Sequence, residues 1–179
     1  MMKSKGLTLV YTGDGKGKTS AAIGLAVRAV GNGMKVGFFQ FIKSKESVSG
    51  EQGALTKLGI EIEQLGIGFT WVKSHEEQRQ ALKNAWAYIK EKVLSDQYDL
   101  IVLDELNNAL AIRDFPIDDV LPLSEVIQLI KVKPDKLHLV ITGRGAKQEI
   151  IDVADLVSKI DSVKHYYDVG ITAVKGIDF

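Results

Sequence analysis

Residues 12–20 read Thr-Gly-Asp-Gly-Lys-Gly-Lys-Thr-Ser, between the apolar run Leu7-Thr8-Leu9-Val10-Tyr11 and an alanine-rich stretch beginning at Ala21. Gly13, Gly15 and Gly17, with Asp14 and Lys16 between them, allow the backbone to curl so that successive N–H groups face one concavity. Lys18 can then reach phosphate oxygens, and the Thr19 hydroxyl can ligate a magnesium ion. A helix starting near Lys18 adds the partial positive charge of its dipole at the same point. The match to G-x-x-x-x-G-K-[ST] departs at its first position, where Thr12 stands in place of glycine. The chemistry implied is the binding of a nucleoside triphosphate.

A second group of residues completes such a site. Asp99-Leu100-Ile101-Val102-Leu103-Asp104-Glu105 places two carboxylates directly after four apolar residues, at the C-terminal end of a buried strand. In open parallel sheets ligands collect at that end. One carboxylate can hold magnesium, directly or through water, because this hard ion prefers oxygen ligands. The plainer alternative is that Asp104 caps the next helix and Glu105 is solvated. Gly66-Ile67-Gly68-Phe69-Thr70-Trp71 sets two aromatics in a glycine-bracketed loop, where they serve either as core or as a surface for a large flat ligand. Thr142-Gly143-Arg144-Gly145 ends a later strand, and Arg144 is open to a phosphate contact or to a surface role. Arg28, on the first helix, reads as solvent-exposed, His138 as a satisfied core residue and His75 as a solvated first-turn residue.

These residues need a frame, and the chain supplies one. Strand-like runs alternate with helical ones, the pattern of a doubly wound α/β domain with a mostly parallel sheet of about six strands, over residues 1–179. Strands are predicted at residues 7–12, 36–41, 60–65, 100–103, 137–142 and 156–160. Helices are predicted at 19–30, up to Leu58 after a polar, turn-prone loop at 43–53, after Ser74, after the Asp104-Glu105 pair with a break near Pro116 and a resumption at about Val120 to Ile130, and at 147–153. The strand at 60–65 alternates apolar and charged residues, so it belongs near an edge. Ser74-His75-Glu76-Glu77 is a capping box, and the helix it opens carries Leu82, Trp86, Ile89 and Val93 on one stripe, which makes Trp86 core.

Composition narrows the function classes. Lys plus Arg and Asp plus Glu number 23 each, so no overall field favours nucleic acid or an anionic membrane. The absence of cysteine excludes disulfides, thiolate metal sites and a cysteine nucleophile. No stretch approaches the ~20 apolar residues of a membrane span, and the first strand comes too early for a signal peptide, so a cytoplasmic protein is expected. There is no protein-kinase signature, no serine-histidine-aspartate arrangement and no histidine cluster for zinc.

Taken together the motifs resemble the ATP:corrinoid adenosyltransferases built on a phosphate-loop (P-loop) nucleoside triphosphate-binding fold. The resemblance runs through Gly13-Asp14-Gly15-Lys16-Gly17-Lys18-Thr19, Arg28-Ala29-Val30-Gly31, Gln40-Phe41-Ile42-Lys43 and Gly68-Phe69-Thr70-Trp71. It continues through Val102-Leu103-Asp104-Glu105-Leu106, Ile141-Thr142-Gly143-Arg144-Gly145, Val163-Lys164-His165 and Gly176-Ile177-Asp178-Phe179. It implies transfer of the 5′-deoxyadenosyl group of ATP to the cobalt of a reduced corrinoid, cobalamin or a precursor, with release of triphosphate, in adenosylcobalamin synthesis or salvage. By the same resemblance Lys18 and the loop amides stabilise the triphosphate, and Thr19 and Glu105 hold Mg2+. Arg28 matches a nucleotide-associated arginine. Phe69 and Trp71 match aromatics that displace the corrinoid's lower axial ligand. An electron donor that reduces the corrinoid and a homodimer are also implied. Asp14 stands where relatives commonly have asparagine. The competing class is a phosphate-loop ATPase or small-molecule kinase, with Glu105 orienting water or an acceptor.

Overall fold

In the computed structural model, residues 5–44, 49–66, 68 and 73–178 are described. Six strands, β1 (Thr8–Thr12), β2 (Val36–Ser44), β3 (Glu61–Gly66), β4 (Leu100–Asp104), β5 (His138–Thr142) and β6 (Leu156–Lys159), form one sheet. Its order is β3-β2-β4-β5-β1-β6, and every neighbouring pair is parallel. The helices are α1 (Lys18–Gly31), α2 (Gly50–Lys57), α3 (His75–Leu94), α4 (Leu106–Leu110), α5 (Leu123–Val132) and α6 (Gln148–Val153). A short 3-10 turn covers Tyr166–Val169.

The two-residue period of the strands sends neighbours to opposite cores. Phe39, Ile101, Leu103, Leu139 and Ile141 join α3, α5 and Ile150 of α6 on one face of the sheet. Phe38, Leu100, Val102 and Val140 meet the alanine stripe Ala22, Ala26 and Ala29 of α1, with Leu55 of α2, on the other. The sheet is therefore covered on both sides, and its strands read as continuous apolar runs for that reason. Small residues on α1 let that helix lie close to the strands that precede and follow it.

The boundaries follow local chemistry. Ser74 accepts from the Glu77 N–H at 3.2 Å while Glu77 accepts from the Ser74 N–H at 2.8 Å, which is the expected capping box. Leu82, Trp86, Ile89 and Val93 are all buried, and Trp86 donates its indole N–H to Glu125 at 2.8 Å. β3 is an edge strand, as its alternation predicts. Two boundaries differ from the sequence reading. β2 continues to Ser44, so Lys43 stands on a strand rather than in a loop. After Glu105 the chain makes only the single turn of α4, and α5 begins at Leu123, after Pro122 rather than at Val120.

Candidate active site

Parallel register aligns the ends of the central strands. Gln40 pairs with Asp104, Leu103 with Ile141 and Tyr11 with Thr142, so the loops after β1, β2, β4 and β5 open on the same edge of the sheet. The loop after β1 turns through two left-handed glycines, Gly13 (φ 96) and Gly17 (φ 118), and Gly17 caps α1. Gly15 has a different reason to be glycine. A Cβ there would sit 2.7 Å from the Asp161 carbonyl carbon, and its N–H donates to the Ile160 carbonyl at 2.8 Å. That amide is therefore committed to the segment after β6 instead of to the loop's concavity, a departure from the sequence expectation. Asp14 is exposed at the rim.

Lys18 curls over its own loop, donating to the carbonyls of Gly13 at 2.7 Å and Gly15 at 2.6 Å. Burial pushes the pKa of its ammonium down. The positive charge of Arg144 pushes the same way, against Asp14 and Glu105. A cation with lowered pKa beside another cation is a site that gains from receiving an anion.

Asp104 joins three strands and the phosphate loop. It is fully buried. Its Oδ1 accepts from the hydroxyls of Thr19 at 2.9 Å and Thr142 at 2.7 Å, and its Oδ2 accepts from the Gln40 amide at 3.0 Å. Thr142 Oγ1 in turn accepts the Glu105 N–H at 2.9 Å. The helix-capping alternative for Asp104 is set aside by these bonds. Glu105 follows in a left-handed conformation (φ 62, ψ 18), which for a non-glycine residue carries strain of about 1–2 kcal/mol. That turn takes its side chain out of the strand line and into the cleft. Burial and the adjacent Asp104 raise its pKa above the usual carboxylate value, opposed by Lys43, Lys18 and Arg144. It is not a solvated carboxylate.

The opening between these elements is a cleft of about 940 Å³, bordered by the phosphate loop, Lys43, Glu51, Glu105, Arg144 and Asp178. Lys43 is ion-paired with Glu51 of α2. Burial is the largest single influence and works against the Glu51 charge, but the bond and charge of Lys43, with the backbone and Ser49 hydrogen bonds, together hold the carboxyl below its usual range. Arg144 is held by its backbone: its N–H donates to Asn108 Oδ1 at 2.7 Å, which straps the turn after β5 onto α4. Sequence reasoning placed Gln40, Thr142 and Asp178 within motifs but gave them no role, and it did not find Asn108. Polar residues that end or interrupt apolar strands were the available signal for the first two.

The structure does not bring Arg28 to this cleft. It is exposed near the C-terminus of α1, roughly 15 Å along the axis from Lys18 at about 1.5 Å per residue. Phe69 and Trp71 lie outside the described residues. His138 is half-buried and satisfied, its Nδ1 accepting the Leu7 N–H at 3.1 Å. His165 borders the cleft, and its Nδ1 accepts the Tyr167 N–H at 3.1 Å.

A glycine loop between a parallel strand and a helix, facing an acidic strand end, defines a phosphate-loop nucleoside triphosphate-binding protein. Solved structures agree on the fold. A KaiC-like protein of Pyrococcus horikoshii OT3 superposes with a TM-score of 0.60 at 17% identity, covering 89% of this chain and 75% of that one. The RadB recombinase gives 0.53 at 17% identity, covering 90% and 77%. At such identities the likeness is one of fold alone. Sequence comparison is more specific. The family model for ATP:corrinoid adenosyltransferase BtuR/CobO/CobP matches residues 4–179. The corrinoid adenosyltransferase of Escherichia coli K12 is 40% identical over 176 residues, 98% of this chain and 86% of the relative. The corrinoid adenosyltransferase CobA of Salmonella typhimurium LT2 is 40% identical over 178 residues, 99% and 87%. The chain belongs to the ATP:corrinoid adenosyltransferase family of transferases. Among the described residues no helix is long and apolar enough to cross a membrane.

Proposed function

We propose that this cleft holds the triphosphate of ATP as a leaving group while C5′ is presented to a reduced corrinoid. The cobalt lone pair forms the Co–C5′ bond, the C5′–O5′ bond breaks, and its electron pair leaves on the triphosphate. The attacking metal is already a strong nucleophile, so the protein's work is to position the reactants and neutralise the departing charge. Lys18 would exchange its two loop carbonyls for phosphate oxygens as charge builds, and Arg144 would face it from the opposite wall. Asp104 fixes the Thr19 hydroxyl, and with Glu105 these form an oxygen donor set suited to Mg2+, which keeps several waters and takes one or two carboxylates. In that place the ion would add Lewis-acid stabilisation of the triphosphate.

The observation that carries this reading is the continuous chain of bonds from Thr19 through Asp104 and Thr142 to the Glu105 N–H. It makes the phosphate loop and the acidic strand end one rigid unit under a single cleft. Phe69 and Trp71 are proposed to act on the corrinoid. The corrinoid's electrons would come from an external donor. The deciding experiment incubates the protein with ATP, magnesium and chemically reduced cobalamin and identifies the phosphate product. Triphosphate with an adenosylated corrinoid is expected. ADP would convert the reading to a kinase or ATPase, and no turnover would reduce it to a carrier.

A further inference from the structure

The segment after β6 closes on the outer side of the phosphate loop at two levels. At the main chain, Gly15 donates to Ile160, and glycine at 13 and 15 leaves no gap: an added Cβ would meet the Ile160 N at 2.8 Å and the Asp161 carbonyl carbon at 2.7 Å. At the side chains, the Asp178 carboxylate accepts from Lys16 of the loop and from the Tyr166 hydroxyl, while its second oxygen accepts the Val174 N–H at 2.7 Å. Three donors on one carboxylate make an ordered hub, and the Asp178 side chain is only 11% exposed although residues 171–177 before it are open to solvent. Lys16, Gly176, Ile177 and Asp178 also border the triphosphate cleft.

We infer that Asp178 is a positioning residue for the phosphate loop, acting through Lys16. The loop is rich in glycine, which costs conformational entropy when it is ordered. Its inner wall is tied by Lys18 to the Gly13 and Gly15 carbonyls. The outer wall is tied by Ile160 and by the Lys16–Asp178 pair, so the curl between Gly13 and Gly17 is gripped from both sides by the protein's own groups. The ion pair is charge-assisted, with the Lys16 bond first among the causes that hold the Asp178 carboxyl well below the usual carboxylate range. The pair also parks the Lys16 ammonium at the rim rather than across the mouth. A negative group beside a triphosphate site would repel the ligand if it were unpaired, so the neutral, fully bonded pair is the arrangement compatible with ATP binding.

This inference rests on the reading of the cleft as a triphosphate site, and the test separates the two. Equilibrium binding of Mg-ATP and steady-state kinetics with varied ATP and varied corrinoid are measured for Lys18→Ala, Asp178→Asn, Lys16→Met and the Asp178→Asn/Lys16→Met pair. Loss of ATP binding in Lys18→Ala is the control for the site itself. Asp178→Asn is expected to raise the ATP KM and Kd by about tenfold with the corrinoid KM unchanged, the size expected of a misplaced rather than missing phosphate contact. In the Lys16→Met background the same substitution should do nothing further, and Asp178→Glu should restore part of the loss. A merely structural role would instead lower the melting temperature and add to Lys16→Met. Unchanged or tightened ATP binding in Asp178→Asn, with Lys18→Ala still inactive in binding, overturns the positioning role. Retained ATP binding in Lys18→Ala overturns the site reading and this inference with it.

Discussion

Replacing Asp104 tests the site's framework most directly, because geometry separates two substitutions that charge alone would not. Asp104 is fully buried and accepts three bonds, from Thr19, Thr142 and Gln40, at 2.7 to 3.0 Å. Asp104→Ala removes every acceptor and leaves those donors facing a void. Bonds to charged groups contribute about 1.5–3 kcal/mol each, and the threonine hydroxyls can partly re-aim, so the expected cost is about 3–5 kcal/mol. For a chain of this size that lowers the melting temperature by roughly 6–20 °C. Asp104→Asn keeps the shape. Its carbonyl can still accept both hydroxyls, but its NH2 then faces the Gln40 NH2. Gln40 holds the remedy, because its Oε1 is buried without a partner and an amide flip presents it to the new donor. The flip exchanges an unsatisfied carbonyl for an unsatisfied NH2 and gives up the long 3.5 Å bond from Gln40 to Glu51, so Asp104→Asn should cost about 2–3 kcal/mol, still less than alanine. Calorimetric melts without ligand give the stabilities, and magnesium-dependent triphosphate release gives the activity. The alanine variant should lose both, whereas the asparagine variant should stay folded and lose the activity. Equal destabilisation by the two, or an alanine variant that melts within about 2 °C of the parent, would refute the reasoning.

Other substitutions probe the remaining parts. Lys18→Ala should abolish turnover while the melt is preserved, since its partners are loop carbonyls at the cleft mouth; substantial activity in the purified variant would remove the triphosphate site. Glu105→Gln should slow transfer and flatten the magnesium titration; curves matching the parent would leave Asp104 as the ligand. The same variant has a pH signature. A raised folded pKa means that the Glu105 charge costs stability as pH climbs from the usual carboxylate range through the folded value, so the variant should melt higher than the parent near about pH 7.5 and equal to it near about pH 4. Gly143→Ala combines a left-handed φ of 128 with a Cβ only 2.8 Å from the Asn108 N; about 2–4 kcal/mol of destabilisation is expected, read by thermal melt, with weakened ATP binding as Arg144 shifts.

Much of this site was legible because its parts carry local signatures. The glycines around Lys18 need neither a partner nor a fold to be recognised, and four apolar residues before Asp104 and Glu105 place the acids at a strand end. The alternating cores are equally local, since Phe38 and Phe39 differ in environment only through the strand's own period. What stayed hidden depends on which strands are neighbours. Thr142 reads as an ordinary strand-end threonine until β5 is found between β1 and β4, where its hydroxyl can bridge Asp104 and Glu105. Gln40 reads as an oddity in an apolar run until register sets it opposite Asp104.

The same logic explains why residue chemistry alone did not divide the labour between the two carboxylates, although the family resemblance assigned Mg2+ to Glu105. Both follow the same apolar run, and a sequence treats them as near equivalents. The strand places Asp104 inside the sheet, where Thr142 and Gln40 bond it and it holds the Thr19 hydroxyl. The left-handed turn at Glu105 then breaks the strand's alternation, so the next carboxylate leaves the network and enters the cleft with a raised pKa. No residue at position 105 announces that turn, since glycine would adopt it more readily. An acidic residue kept in a strained conformation beside Lys18, Lys43 and Arg144 is consistent with a requirement for its charge at that point rather than for its backbone preference.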